Sequence, residues 1–231
     1  MDRLTDTEKL MYEVMGAIAG AGMPVVYKGA MITKLILREN HYDEVSRKTQ
    51  DIDLNWTSPN LPSTEQLKEM LNRALGGFGM TAAMKREYGE ERSAGFRIFD
   101  AKGFKKLSID IEMRAVTHSR TYQYENVTFS GVTPISVIGD KINAISSDKL
   151  CRRTKDLVDT YALAHCVKIQ KTELHKYWMK ENLPIGTFKT FLNRREDVEH
   201  AYNKLRRVIG KPGFRELYEY LNAFLAPFIE P

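Results

Sequence analysis

Residues 51–56 read DIDLNW, and the strict alternation marks a strand with Ile52, Leu54 and Trp56 on one side and Asp51, Asp53 and Asn55 on the other. Residues 107–113, LSIDIEM, repeat the pattern, setting Leu107, Ile109, Ile111 and Met113 opposite Ser108, Asp110 and Glu112. Carboxylates on alternate positions of a strand project from one face about 6–7 Å apart, and they repel unless a cation lies between them. A hard divalent ion such as Mg²⁺ answers that need, because it takes one or two protein carboxylates and completes its shell with water and phosphate oxygens. A solvent-facing acidic strand is the plainer alternative. Asp110 becomes a third ligand if the two strands are neighbours.

The surrounding pattern sorts into two parts. TDTE at 5–8 has the spacing of a capping box, and Leu10, Met11, Val14, Met15 and Ile18 follow at helical spacing. PVVYKG reads as a short strand ending in glycine, AMITKLILREN as a helix, and SPNLPSTEQ as a loop leading into another helix. Residues 80–130 alternate like strands, broken by Gly and Asn. From Pro134 onward the chain reads as helices, interrupted at CRRT, NLPIG and GKPG. We expect a mixed α/β domain over 1–132 and a helical one over 133–231.

With 231 residues, 42% of them hydrophobic, the chain is long enough to bury a proper core. Cys151 and Cys166 form no C-x-x-C, and the five histidines do not cluster, which excludes a disulfide framework or structural zinc as the organising element. The most apolar run, VMGAIAGAGMPVV at 14–26, is too short to span a bilayer and follows an acidic start, so a cytoplasmic protein without leader or membrane anchor is expected. The net charge of +5 is uneven. Residues 1–140 carry 18 Lys+Arg against 19 Asp+Glu, whereas residues 141–231 carry 17 against 11. That excess permits a polyanionic partner such as RNA, and equally a solvated surface.

Three further features bear on chemistry. Gly29 stands at a strand-to-helix turn, where free backbone N–H groups and the helix dipole can hold phosphate. On a helical wheel Lys141 falls within the apolar stripe of Val137, Ile138, Ala144 and Ile145, and Asp156 within that of Thr160, Leu163 and Val167. Buried charges need a partner or a ligand. Lys141 and Asp156 therefore bind something, or form an ion pair that joins two helices.

The segments KGAMITKLILRE, RKTQDIDL, SIDIEM, PISVIGDKINAI and RRTKDLVDTYAL occur in the order and setting of the nucleotidyltransferase-like AbiEii/AbiGii abortive-infection toxin family, which the chain resembles over residues 10–165. The resemblance implies a DNA-polymerase-β-like nucleotidyltransferase core followed by a helical C-terminal region that completes the active-site cleft. It implies that Lys28, Gly29 and Ala30 contact the triphosphate, with Arg47 and Asp159 also on the nucleotide side. Asp51 and Asp53 would hold Mg²⁺ or Mn²⁺ with Asp110 as the third strand acid. Lys141 and Asp156 match the later charged motifs, and Asp159 follows one turn on. Where many members carry Gly-Gly-Thr or Gly-Ser, this chain has Gly29-Ala30-Met31 and offers only backbone to phosphate.

The implied reaction moves a nucleoside monophosphate from an NTP to RNA, above all the tRNA acceptor end, releasing pyrophosphate. The metal would neutralise phosphate charge, Lys141 would hold phosphate, and Asp110 or Asp156 would orient or deprotonate the acceptor hydroxyl. A cognate antitoxin and a role in phage defence follow from the same resemblance. The alternatives are a nucleotidyltransferase acting on a small molecule, which needs an acidic pocket for a cationic acceptor rather than a basic surface, and a non-catalytic protein keeping the fold, against which the intact Asp51, Asp53, Asp110, Lys141 and Asp156 argue.

Overall fold

The computed structural model describes residues 4–86, 93–113, 116 and 118–229. In chain order the elements are α1 (Asp6–Gly20), β1 (Val25–Lys28), α2 (Gly29–Glu39), β2 (Ser46–Arg47), β3 (Asp51–Trp56), α3 (Thr64–Leu75), β4 (Thr81–Arg86), β5 (Ser93–Phe99), β6 (Lys105–Glu112), β7 (Ser119–Tyr124), β8 (Val127–Val132), α4 (Pro134–Ser146), α5 (Thr154–Cys166), α6 (Lys171–Lys180), α7 (Lys189–Asn193), α8 (Arg195–Asn203), β9 (Val208–Ile209) and α9 (Phe214–Leu225). The chain divides into two compact units, residues 1–35 with 49–133 and residues 36–48 with 134–231. The strand-rich run expected over 80–130 is present, but its stretches 87–92, 114–115 and 117 lie outside the described residues.

The first unit is built on a seven-stranded mixed sheet in the order β4-β5-β6-β3-β1-β8-β7. β3 runs antiparallel to β1 and parallel to β6, so the two alternating segments of the sequence are indeed neighbours. Their apolar sides form the core: Ile52, Leu54, Leu107, Ile109 and Ile111 are fully buried, with Phe96 and Ile98 of β5 alongside. α1 and α3 cover the sheet. Helix α3 spends Leu67, Leu71 and Leu75 on this contact, a spacing of four that keeps all three on one side, each burial stabilising by about 1.5–3 kcal/mol.

Helix α1 starts with the expected capping box. Thr5 Oγ1 accepts from the Glu8 N–H at 3.2 Å, and Glu8 Oε2 accepts from the Thr5 N–H at 2.9 Å. Glu8 is also fully buried. Its second oxygen accepts from the Thr49 N–H at 3.1 Å and pairs with Lys34 at 3.2 Å, so one side chain caps the helix and ties it to α2 and to the entry of β3.

The second unit is helical, with one exception to the sequence reading. Helices α4 and α5 pack together, α6 joins α4 through the Trp178 Nε1–H donating to the Gly139 carbonyl at 3.1 Å, and α9 joins α5 through Tyr161 Oη–H donating to Glu216 at 2.7 Å. The tail, which reads as nearly all helix, contains β9, which pairs antiparallel with β2 through Ser46↔Ile209 and Arg47↔Val208. Two residues carry no periodicity, and the pairing partner lies some 160 positions earlier, so nothing local announces the strand. Both cysteines are free. Among the described residues no helix is long and apolar enough to cross a membrane.

Candidate active site

Strand register brings the charged residues of the first unit into one row. Lys28 of β1 lies opposite Asp53 of β3, and Asp53 lies opposite Asp110 of β6. Partners in register share a face, and neighbouring strands run about 4.8 Å apart, so two carboxylates stand side by side on the side of the sheet away from the core. Asp51 falls one step along, opposite Ser108, and is exposed. In the other direction lie Asn55 and Glu112.

Gly29 is shaped around this row. It has φ +70, and a Cβ placed on it would lie 2.2 Å from Asp53 Oδ2 and 3.0 Å from Asp53 Cγ. The Asp53 carboxylate therefore rests against the backbone that opens α2, which only glycine permits. Ala30 is buried, so the first turn presents backbone rather than a hydroxyl. Lys28 reaches past Asp53 to pair with Glu112, and Lys85 of β4 pairs with Asp110 at 3.8 Å. Neither Glu112 nor Lys85 was singled out as a site residue in the sequence. Glu112 shares the alternation that revealed Asp110, whereas Lys85 becomes visible only once β4 joins the sheet.

The second unit holds the other candidates in one buried network. Lys141 Nζ on α4 donates to Asp156 Oδ1 at 2.7 Å and to Asp159 Oδ2 at 2.8 Å, both on α5. Arg47 of β2 lies 3.4 Å from both Asp159 oxygens, and Arg153 Nε donates to Asp156 Oδ2 at 2.5 Å. Asp156 is fully buried, Asp159 and Lys141 nearly so. The internal ion pair weighed from the sequence is thus present, widened by Asp159, Arg47 and Arg153. Arg153 could have been found three positions before Asp156, a helical-neighbour spacing.

Electrostatics follow from this packing. Burial raises the Asp159 carboxyl, but Lys141 and Arg47 outweigh it and hold the group down at about 2. Burial lowers the Lys141 ammonium, but Asp159 and Asp156 outweigh it and raise the group above its ordinary value. Lys141 is therefore charged throughout the physiological range, with two of its three N–H donors committed.

Comparison with known proteins agrees with these motifs. A family model described as "Nucleotidyl transferase AbiEii toxin, Type IV TA system" matches residues 28–219. The chain belongs to the AbiEii nucleotidyltransferase toxin family. Every candidate residue above lies within that match. Among solved structures, MenT4, a nucleotidyltransferase toxin from Mycobacterium tuberculosis, is 16% identical, with a TM-score of 0.55 over 95% of this chain and 82% of its own. That likeness places the AbiEii chain in the nucleotidyltransferase fold. An antigenic nucleotidyltransferase-like protein from Paracoccidioides brasiliensis is 12% identical (TM-score 0.48; 86% of this chain, 92% of the other). JHP933 from Helicobacter pylori is 16% identical (TM-score 0.48; 96% and 99%). Comparison with curated proteins finds no match.

The donor set on the sheet suits a hard divalent ion. Asp53 and Asp110 offer carboxylate oxygens in register, with Asp51 one step along, and Mg²⁺ needs only one or two such groups when phosphate oxygens supply the rest. Among the described residues no three acid, His or Cys side chains are drawn together into a ready cage. The register brings two carboxylates together, with Asp51 set apart by the strand rise.

Proposed function

We propose that the protein is a nucleotidyltransferase toxin that transfers a nucleoside monophosphate from an NTP to an RNA acceptor, a tRNA foremost, with pyrophosphate leaving. The observation that carries this reading is the Asp53 carboxylate, held against Gly29 at the opening of α2 and in register beside Asp110. A helix N-terminus suited to phosphate and a carboxylate pair suited to a cation thus lie together at one glycine.

Asp51, Asp53 and Asp110 would hold Mg²⁺ or Mn²⁺, which, when bound, neutralises charge on the triphosphate. The backbone N–H groups of Gly29 and Ala30 would orient the phosphates, with Lys28, tethered by Glu112, beside them. Asp110 would accept the proton of the attacking RNA hydroxyl, which forms the new O–P bond as the bond to pyrophosphate breaks. On the second unit, Lys141 keeps one N–H beyond its two carboxylate partners, which suits an anion. Asp156, Asp159 and Arg47 would fix its position. A cognate antitoxin and a cytoplasmic site of action accompany this reading.

Incubation with each α-labelled NTP, Mg²⁺ and total RNA should label RNA with the native protein. Asp53→Asn should melt normally and transfer nothing. Equal labelling by Asp53→Asn would overturn the assignment.

A further inference from the structure

We propose that the β2–β9 ribbon is the docking surface for the phosphate backbone of the RNA acceptor. The inference rests on the transferase reading for the identity of the acceptor and on separate observations for its place. The two segments that meet in the ribbon, VSRK at 45–48 and KLRRVIGK at 204–211, hold six basic residues among twelve, of which Arg47 is turned to Asp159 and Lys211 to the Tyr202 and Leu205 carbonyls; the exposed Asp43 and Glu44 precede the first segment. They lie far apart in the sequence, and only the pairing of β2 with β9 concentrates them. Lys48, Lys204 and Arg206 are all exposed, and burial, with the charge of Arg206 behind it, lowers the Lys211 ammonium below its ordinary value.

The ribbon is built rather than incidental. Lys48 N–H donates to the Arg207 carbonyl at 2.9 Å, extending the ladder past β2. Arg207 adopts φ 62, a left-handed conformation costly for a side-chain-bearing residue, and Gly210 at φ 61 packs where a Cβ would lie 1.8 Å from the Glu44 carbonyl oxygen. Consecutive residues then face opposite ways: Arg47 turns to Asp159, largely buried, while Lys48 faces solvent. A basic strip of fixed geometry, anchored to α5 by its own arginine, suits a polyanion whose charges repeat along a chain. Lysines and arginines at such a strip release counterions from each phosphate they neutralise. A compact anion such as free NTP needs no strip.

The test measures binding directly, so that its outcome is separate from transfer. A short fluorescein-labelled hairpin RNA with an unpaired 3′ end is titrated by anisotropy across a salt series against three proteins. These are the native chain, the ribbon variant K48Q/K204Q/R206Q, and the control K176Q/K180Q, whose lysines are exposed on α6 of the same unit. With three phosphate contacts removed, the ribbon variant should lose about 2 from the slope of log K against log salt. Its deficit relative to the native chain should therefore shrink roughly twenty-fold between about 50 and 200 mM salt. The control should match the native slope. Equal slopes for ribbon variant and native chain, a slope loss in the control as large as in the ribbon variant, or binding of poly-glutamate in place of the RNA would each overturn the proposal. Loss of label transfer by Asp53→Asn with native RNA affinity would leave it standing, and so would RNA binding by a protein that transfers nothing.

Discussion

Replacing Lys141 with Met separates the architecture of the second unit from its chemistry. The methionine keeps most of the apolar stem and removes an ammonium held 2.7 Å from Asp156 and 2.8 Å from Asp159. Breaking a buried pair by deleting one partner costs about 3–5 kcal/mol. The cost here belongs at the low end, about 3 kcal/mol, because neither carboxylate is abandoned. Asp156 keeps Arg153, whose side chain is 48% exposed and so a screened partner, and Asp159 keeps Arg47 at 3.4 Å. Adding Asp156→Asn should recover about 1–2 kcal/mol, since only Asp159 then remains and Arg47 faces it. Denaturation midpoints at fixed slope measure both steps, with RNA labelling run on the same samples. A Lys141→Met protein within about 1 kcal/mol of the native one would refute the network's structural weight. If Lys141 also contacts phosphate, the double variant recovers stability without transfer, and restored transfer would sink that role.

Three other perturbations follow from the same geometry. Gly29→Ala should displace the Asp53 carboxylate, which a Cβ would meet at 2.2 Å, lowering transfer roughly a hundred-fold while costing about 1–3 kcal/mol of stability; labelling and denaturation read the two. Asp159, held at about 2 against an ordinary 3.8, contributes about 2 kcal/mol that is present above pH 4 or so and is lost as the pH falls toward 2; Asp159→Asn should flatten this acid limb of a stability profile. NTP should raise the melting temperature only with Mg²⁺ or Mn²⁺ present, and an equal rise without metal would point away from carboxylate-held metal.

Period-two alternation exposed β3 and β6 and the side each turns to the core, and the TDTE spacing exposed the start of α1. Both signals are local and need only the chain's own geometry. Partnership was less legible. Asp53 and Asp110 became neighbours because β6 inserts beside β3 in parallel, a choice made by the whole sheet. Glu8 read as a helix cap, yet its burial against Thr49 and Lys34 comes from tertiary packing. Lys141 and Asp156 stood out as charges in apolar stripes, but their further partners Asp159, Arg47 and Arg153 had no such mark. Arg47 precedes Asp51 by only four positions in the sequence and still belongs to the other unit. The β2–β9 ribbon was the least visible, being two residues long and formed by strands some 160 positions apart.

The central claim is the identity of the transferred group. Parallel reactions with one NTP labelled at the α-phosphorus or at the γ-phosphorus, in the presence of Mg²⁺ and total RNA, test it most directly. Transfer of a nucleoside monophosphate predicts that α-label enters RNA while γ-label is recovered as pyrophosphate, and that Asp53→Asn does neither. Entry of γ-label into RNA, or into the protein itself, would contradict the account.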